Sequence, residues 1–159
     1  MKKEILSAFV GAVLGMAGGA GIVLKAEVKE RFALKELSDK HLALFMMMNQ
    51  WVRVKQEGKS VADYLKRNNF TTVAVYGMSY VGERFIKEVK NSKIQVAYGI
   101  DRNAGGIYAD IEVVTPDDHL KEVDAVIVTS IFFMNEIERA LSAKLSCPIL
   151  SLEDILYEL

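Results

Sequence analysis

The hydrophobic and polar positions follow three different patterns along the chain. Residues 5–24 form a continuous apolar run without a charged residue. Residues 25–57 place apolar side chains at steps of three and four, the period of an amphipathic helix. From residue 70 onward, short apolar runs alternate with amphipathic segments, which is typical of strands and helices in turn. The pattern predicts a transmembrane anchor (1–24), a helical juxtamembrane region (25–69) and a Rossmann-like α/β domain (70–159).

The first apolar run is about 20 residues long, enough for a helix to cross the hydrocarbon core of a bilayer. Lys2 and Lys3 precede it and further cations follow it, and their balance slightly favours a cytoplasmic location for the chain beyond it. We therefore expect a single-pass protein of the cell membrane with its domain on the cytoplasmic side. The alternative is a cleaved signal peptide, with the small residues at 17–20 near the cleavage site.

Three glycines within this run, Gly11, Gly15 and Gly19, are spaced by four residues and share one helix face. Such faces let membrane helices approach closely, which predicts self-association or docking on a larger membrane partner. The alternative is that the glycines have no partner, since glycine is frequent in membrane helices.

The juxtamembrane helix carries an apolar stripe made of Leu37, Leu44, Phe45, Met48, Trp51 and Val52. We expect this stripe to pack on the following domain or on a partner helix, with Trp51 as a candidate partner contact. Gly58 predicts the end of the helix. Ser60 and Asp63 form a capping box that predicts a second, short helix.

The α/β domain begins with an apolar run at residues 72–76, the first of five expected strands. The remaining strands are predicted at 94–100, 111–114, 125–129 and 148–150. Helices are predicted at 81–90, at 132–145 and after Ser151, and Thr115-Pro-Asp-Asp118 predicts a further helix start. Right-handed crossovers then give a parallel sheet in the order 3-2-1-4-5, whose ligands bind where the strand order reverses.

The turn after the first strand has glycines at two of the positions that nucleotide-binding turns require. Gly77 allows a sharp turn and Gly82 a close approach of helix to strand, while Ser79 replaces the second glycine of G-x-G-x-x-G. The backbone amides of Ser79, Tyr80 and Val81 would face a phosphate at the helix N-terminus.

Polar residues after the second and fourth strands complete the candidate site. Asp101 would accept hydrogen bonds from ribose hydroxyls, and Arg102 would pair with a phosphate or stack on a base. Asn103, Thr129 and Ser130 would form a polar rim. The alternative is that the glycines and the aspartate serve the backbone alone, as they do in many α/β folds without a ligand.

The net charge of the chain and the motifs that it lacks exclude several classes of function. A net charge of −1 and no basic run argue against nucleic acid as a partner. Cys147 is the only cysteine, which excludes internal disulfides and cysteine-based zinc sites, and the two histidines have no metal-binding spacing. No tyrosine is followed four residues later by lysine, and neither a G-x-S-x-G elbow nor a P-loop lysine occurs. We predict no catalytic or metal-binding residue.

The segment from Val73 to Leu152 resembles the Rossmann-like modules that accompany bacterial surface-polysaccharide enzymes. The matching parts are VYGMSYVG at 75–82, YGIDRN at 98–103, VTPDD at 114–118 and VDAVIV at 123–128. Similar strings occur in nucleotide-sugar-binding N-terminal domains of sugar acetyltransferases of the PglD type and in domains fused to glycosyltransferases. The resemblance covers about half of the chain and implies binding of a nucleotide, a nucleotide sugar or NAD(P).

The resemblance does not extend to a complete enzyme, since neither an acetyl-transfer β-helix nor a second substrate domain is found in the sequence. The leading hypothesis is thus a membrane-anchored accessory protein of cell-surface polysaccharide assembly. Two alternatives stay open: an NAD(P)-dependent or sugar-modifying enzyme subunit completed by a partner, and a membrane scaffold that binds no ligand.

Overall fold

The computed structural model describes the backbone of residues 2–159 and the side chains of residues 28–159. The chain divides into two units, residues 1–45 and residues 46–159. The second unit contains the whole sheet and the candidate site.

The first helix, α1 (Lys2–Gln56), belongs to both units. In residues 28–45 its side chains are exposed except for Lys40, Ala43 and Leu44, which are half-buried. Within residues 28–159 no helical segment combines the length and the apolar character needed to cross a membrane. The predicted anchor and its face of Gly11, Gly15 and Gly19 lie outside the residues whose side chains are described.

The last turns of α1 pack into the second unit. The buried residues Met47, Gln50, Trp51 and Val54 recur at steps of three and four and so share one face. Of the predicted stripe, Trp51 is buried in this unit, whereas Leu37, Phe45 and Val52 are exposed, and packing of these three on a partner helix stays a prediction. The reason is that residues 42–48 are all apolar, so periodicity alone cannot select the face that the domain covers.

The second helix, α2 (Val61–Arg67), begins as the capping box predicts. The Ser60 hydroxyl accepts the backbone N–H of Asp63 at 3.1 Å. Gly58 lies just beyond α1 with a φ of +73°, a left-handed conformation that glycine adopts without strain. Both predictions at this junction are confirmed.

The sheet has five parallel strands in the predicted order, β3-β2-β1-β4-β5. The strands are β1 (Thr72–Tyr76), β2 (Gln95–Ile100), β3 (Val113–Val114), β4 (Ala125–Val128) and β5 (Ile149–Ser151). All four residues of β4 are buried, as expected for a central strand that is covered on both faces.

Three further helices accompany the sheet. They are α3 (Tyr80–Val89) between β1 and β2, α4 (Met134–Leu141) between β4 and β5, and α5 (Leu152–Glu158) after β5. Single 3₁₀ turns form at Ala104–Gly106 and at Ile131–Phe133. The predicted helix at 132–145 is therefore shorter than expected, whereas Ser151 caps the last helix as predicted.

The helix predicted to start at Thr115 was wrong. The Asp118 carboxylate accepts the backbone N–H of Thr115 at 2.7 Å and its hydroxyl at 2.9 Å, which closes a turn. The chain then continues without helix, because Leu120 and Val123 are buried in the core within the few residues that remain before β4.

One face of the sheet is covered by α4 and the segment that follows Asp118. Its buried cluster joins side chains of β1, β2 and β4 to Ile137 and Leu141 of α4. Tyr98 of β2 belongs to this cluster. It donates its hydroxyl to the Lys121 carbonyl at 2.7 Å, and burial raises its pKa to about 12. Tyr98 is therefore a neutral core residue.

Candidate functional site

A cleft opens at the carboxyl edge of the sheet, where β1 and β4 are neighbours and the strand order reverses. Its volume is about 150 Å³. Sites for small molecules commonly measure about 300–1,000 Å³, so a nucleotide bound here would remain partly exposed. The residues that line the cleft are Tyr76, Asp101, Arg102, Ser130, Phe133 and Ile137.

The turn after β1 is tightly packed around Gly77. This glycine has a φ of +96°, and a Cβ atom added to it would lie 2.4 Å from Ser130 Oγ and 2.7 Å from Thr129 Oγ1. The Thr129 hydroxyl, which is buried, donates to the Gly77 carbonyl at 2.6 Å. Side chains that follow β4 thus fix the conformation of the turn.

Gly82 allows the first turn of α3 to approach the same glycine. A Cβ atom at Gly82 would lie 2.2 Å from the Gly77 carbonyl oxygen, which no real structure tolerates. Both glycines predicted from sequence therefore have the backbone roles expected of them in a strand-turn-helix unit. These roles require no ligand.

Asp101, at the end of β2, points towards the turn after β1. One carboxylate oxygen accepts the backbone N–H of Met78 at 2.8 Å, and the other accepts the N–H of Asn103 at 2.9 Å. A carboxylate has about four lone-pair positions, so Asp101 keeps acceptor capacity on the side of the cleft. The residue is half-buried.

Arg102 borders the cleft and pairs with a residue of α4. Its guanidinium donates to the Glu136 carboxylate at 2.5 Å, and both side chains are more than half exposed. Glu136, and to a smaller degree Tyr76, raises the pKa of Arg102. The guanidinium is thus a permanent cation in the lining of the cleft, and its ion pair with Glu136 is exposed and therefore weak.

The first residues of α3 contribute backbone groups. Ser79 precedes the helix without using its hydroxyl as a cap. Tyr80 is exposed and Val81 is buried, so Val81 is available to a ligand only through its amide. The first amides of any helix lack intrahelical acceptors.

The structure thus brings Asp101, Arg102 and Ser130 of the predicted set together in the cleft. Thr129 lies beneath the cleft as a support of the turn, and Asn103 belongs to the turn after β2, where its amide packs near Gly106. Three lining residues were missed: Tyr76, Phe133 and Ile137. The two consecutive phenylalanines Phe132 and Phe133, which follow the fourth strand after three residues, were the available sequence signal for Phe133.

Other reactive groups lie away from the cleft. Among residues 28–159 no group of three or more histidine, cysteine or acidic side chains is arranged to hold a metal ion. Burial raises the pKa of the Cys147 thiol, which disfavours the reactive thiolate.

No protein-family model matches this chain, and comparisons with curated proteins and with solved structures found no match. The function is therefore inferred from the geometry of the site.

Proposed function

We propose that this chain is a membrane-anchored accessory protein whose Rossmann-like domain binds a nucleotide, a nucleotide sugar or NAD(P), in cell-surface polysaccharide assembly. The observation that carries the proposal is the cleft at the point where the strand order reverses. There a carboxylate (Asp101), a guanidinium (Arg102), a hydroxyl (Ser130) and an aromatic ring (Phe133) face one space.

These groups match the parts of a nucleotide. The free lone pairs of Asp101 would accept the ribose hydroxyls. The planar guanidinium of Arg102 and the ring of Phe133 offer surfaces on which a base can stack. The amides of Ser79, Tyr80 and Val81 would take the phosphate.

We assign the binding of a ligand to the cleft, and we assign no chemical step to it. Asp101 already accepts two backbone amides, and its role in this proposal is to hold a sugar. Turnover by the purified chain together with a partner subunit would instead favour the alternative of an enzyme completed by that partner.

The binding test uses the full chain in neutral detergent with UDP-sugars, CDP-linked compounds and NAD(H), followed by calorimetry. At least one of these compounds should bind, and Arg102→Ala and Phe133→Ser should each weaken its binding. Arg139→Ala is the matched control, since Arg139 is exposed on α4 and does not line the cleft. No binding by any compound, or an equal loss with Arg139→Ala, would contradict the proposal.

The membrane part of the proposal rests on residues 5–24 and is tested separately. We expect the protein isolated from its own cells to retain residues 1–24 and to resist extraction by alkaline carbonate. An N-terminus that begins near residue 20 would favour the cleaved signal peptide.

A non-ligand-binding scaffold is the second candidate. Residues 28–45 favour the scaffold because they expose large apolar side chains, which mark contact surfaces. Among these side chains are Phe32, Leu34 and Leu42. Under this hypothesis, changes of Gly11, Gly15 and Gly19 abolish function in cells, while Arg102→Ala has no effect.

A further inference from the structure

A groove lies between the C-terminal turns of α1 and the outer side of α3, away from the cleft. Its volume is about 340 Å³. We call it the α1/α3 groove, and its lining residues are Met48, Trp51, Val52, Lys55, Arg84, Lys87 and Glu88.

The floor and one wall of the groove are apolar. Trp51 is buried, Met48 is half-buried, and Val52 is 52% exposed on the α1 side. The indole N–H of Trp51 is fixed by the Glu88 carboxylate at 2.5 Å, so the ring is held in place at the base of the groove.

The rim of the groove is positively charged. Three cations line it against one carboxylate, Glu88, an excess of two positive charges. The Glu88 side chain is only 8% exposed, and Lys55, Trp51 and the amide of Val61 already bind it. Across residues 28–159, neither Arg84 nor Lys87 has a carboxylate within ion-pair distance.

The cationic row continues just past the end of α3, where Lys90 is the C-terminal cap. Lys90, three residues beyond Lys87, is exposed and also has no ion pair among the described side chains. The chain as a whole has a net charge of −1, so this row opposes the overall charge of the protein. Glu83 lies four residues before Lys87 and Glu88 four residues after Arg84, but neither forms an ion pair with these cations as Glu36 does with Lys40.

We propose that the α1/α3 groove binds an acidic amphipathic helix of a partner protein. Apolar side chains of that helix would enter above Trp51 beside Val52, while carboxylates would pair with Arg84 and Lys87, as in other helix-in-groove complexes. Met48 and Lys55 are seven residues apart, so the groove extends for about 10 Å along α1, or two turns of a bound helix. The proposal is independent of whether the cleft binds a nucleotide.

A helix fits this groove better than an anionic membrane surface does. Membrane-binding surfaces expose their large apolar side chains so that these enter the acyl region. Here the largest apolar side chain, Trp51, is recessed and only 5% exposed. An apolar centre surrounded by a polar, charged rim is the composition of a protein-binding interface.

The test uses the full chain in zwitterionic nanodiscs and a synthetic 14-residue helix with leucine on one face and glutamate on its flanks. Trp51 is the only tryptophan of the protein, so its fluorescence reports on the groove directly. The acidic helix should shift this fluorescence, and its binding should weaken as salt is raised. The same helix with lysine in place of glutamate should not bind.

The double variant Arg84→Glu/Lys87→Glu should reduce the affinity for the acidic helix at least tenfold, because it reverses both unpaired charges of the rim. The control Arg139→Glu reverses one charge on exposed α4, half of the change in the double variant, and should bind as the wild type does. Circular dichroism of both variants should match the wild type.

Three outcomes would overturn the proposal. The first is that the double variant binds the acidic helix as tightly as the wild type does. The second is that the lysine helix binds as tightly as the acidic helix. The third is that the acidic helix does not bind at all. In the last case, a fluorescence change caused by phosphatidylglycerol in the nanodisc would assign the rim to the membrane surface instead.

Discussion

The Asp101 carboxylate accepts the backbone N–H of Met78 at 2.8 Å and so joins the end of β2 to the turn after β1. In the sequence, this aspartate is a candidate for binding ribose. In the structure, it also stabilises the turn whose amides would face a phosphate. Its structural and ligand-binding roles therefore have to be measured separately.

Asp101→Ala should destabilise the protein even without a ligand, by about 1–3 kcal/mol, because it removes the acceptor of a half-buried amide. Urea unfolding of the ligand-free protein provides the measurement. Arg102→Ala is the comparison: its partner Glu136 is exposed, so its unfolding free energy should change by less than about 1 kcal/mol. Equal stability of the Asp101→Ala protein and the wild type would show that the bond to Met78 contributes nothing.

Gly82→Ala should be among the most damaging single changes in the domain. The added methyl would lie 2.2 Å from the Gly77 carbonyl oxygen, so α3 would have to move away from the turn. We expect a loss of about 3 kcal/mol or an unfolded protein. Gly105→Ala is the matched control, because no atom lies within 4 Å of its added Cβ, and its thermal midpoint should remain close to that of the wild type.

Glu88 connects three helices, since it accepts from Trp51 and Lys55 of α1 and from the N–H of Val61 at the start of α2. Glu88→Ala should cost about 2–3 kcal/mol, because it leaves the indole and the backbone amide without an acceptor. Glu88→Gln keeps an oxygen for one of them and should cost less. Denaturant unfolding monitored through Trp51 fluorescence would rank the two variants, and a reversed order would contradict this account.

Asp124 binds the amino end of β1, opposite the carboxyl edge of the sheet at which the cleft lies. Its carboxylate accepts the amides of Thr72 and Thr71 and the Thr71 hydroxyl, at 2.7–2.9 Å. The amide of Thr72, followed by the two groups of Thr71, lowers the pKa of Asp124 below its usual 3.8. Because the folded pKa is the lower one, the stabilisation is present above about pH 4 and is lost as the pH falls through the folded pKa.

Asp124→Asn should therefore lower stability near neutral pH and flatten the acid limb of the curve of stability against pH below about pH 4. Thr71→Val removes only the hydroxyl donor and should give a smaller change of the same sign. Thermal midpoints recorded from pH 2 to pH 7 would test both variants. An acid limb as steep in Asp124→Asn as in the wild type would contradict the assignment.

Much of the domain could be predicted from local pattern. A short apolar run predicts the strand at 72–76, and the handedness of crossovers predicts the order of the sheet. The helix caps follow from the hydroxyls of Ser60 and Ser151, each placed three residues before the amide that it binds. Gly77 and Gly82 were identified because a tight strand-turn-helix unit requires glycine at those positions. Apart from the order of the sheet, each of these features is predicted by a signal that lies within a few residues of it.

The sequence by itself determined an α/β domain with a parallel sheet in the order 3-2-1-4-5 and a glycine turn at its switch point. Only the tertiary structure decided which face of α1 is buried, that Thr115 and Asp118 close a turn, and that Asp101 binds the amide of Met78. It also placed Phe133 and Arg102 in the lining of one cleft, and Arg84 and Lys87 in the lining of one groove with Trp51. The physical reason is packing. Most of these partners lie on elements far apart in sequence, and no local pattern of residues encodes them. The pattern of Thr115 and Asp118 is local but fits a capped helix as well as a turn, and the burial of Leu120 and Val123 decided between the two.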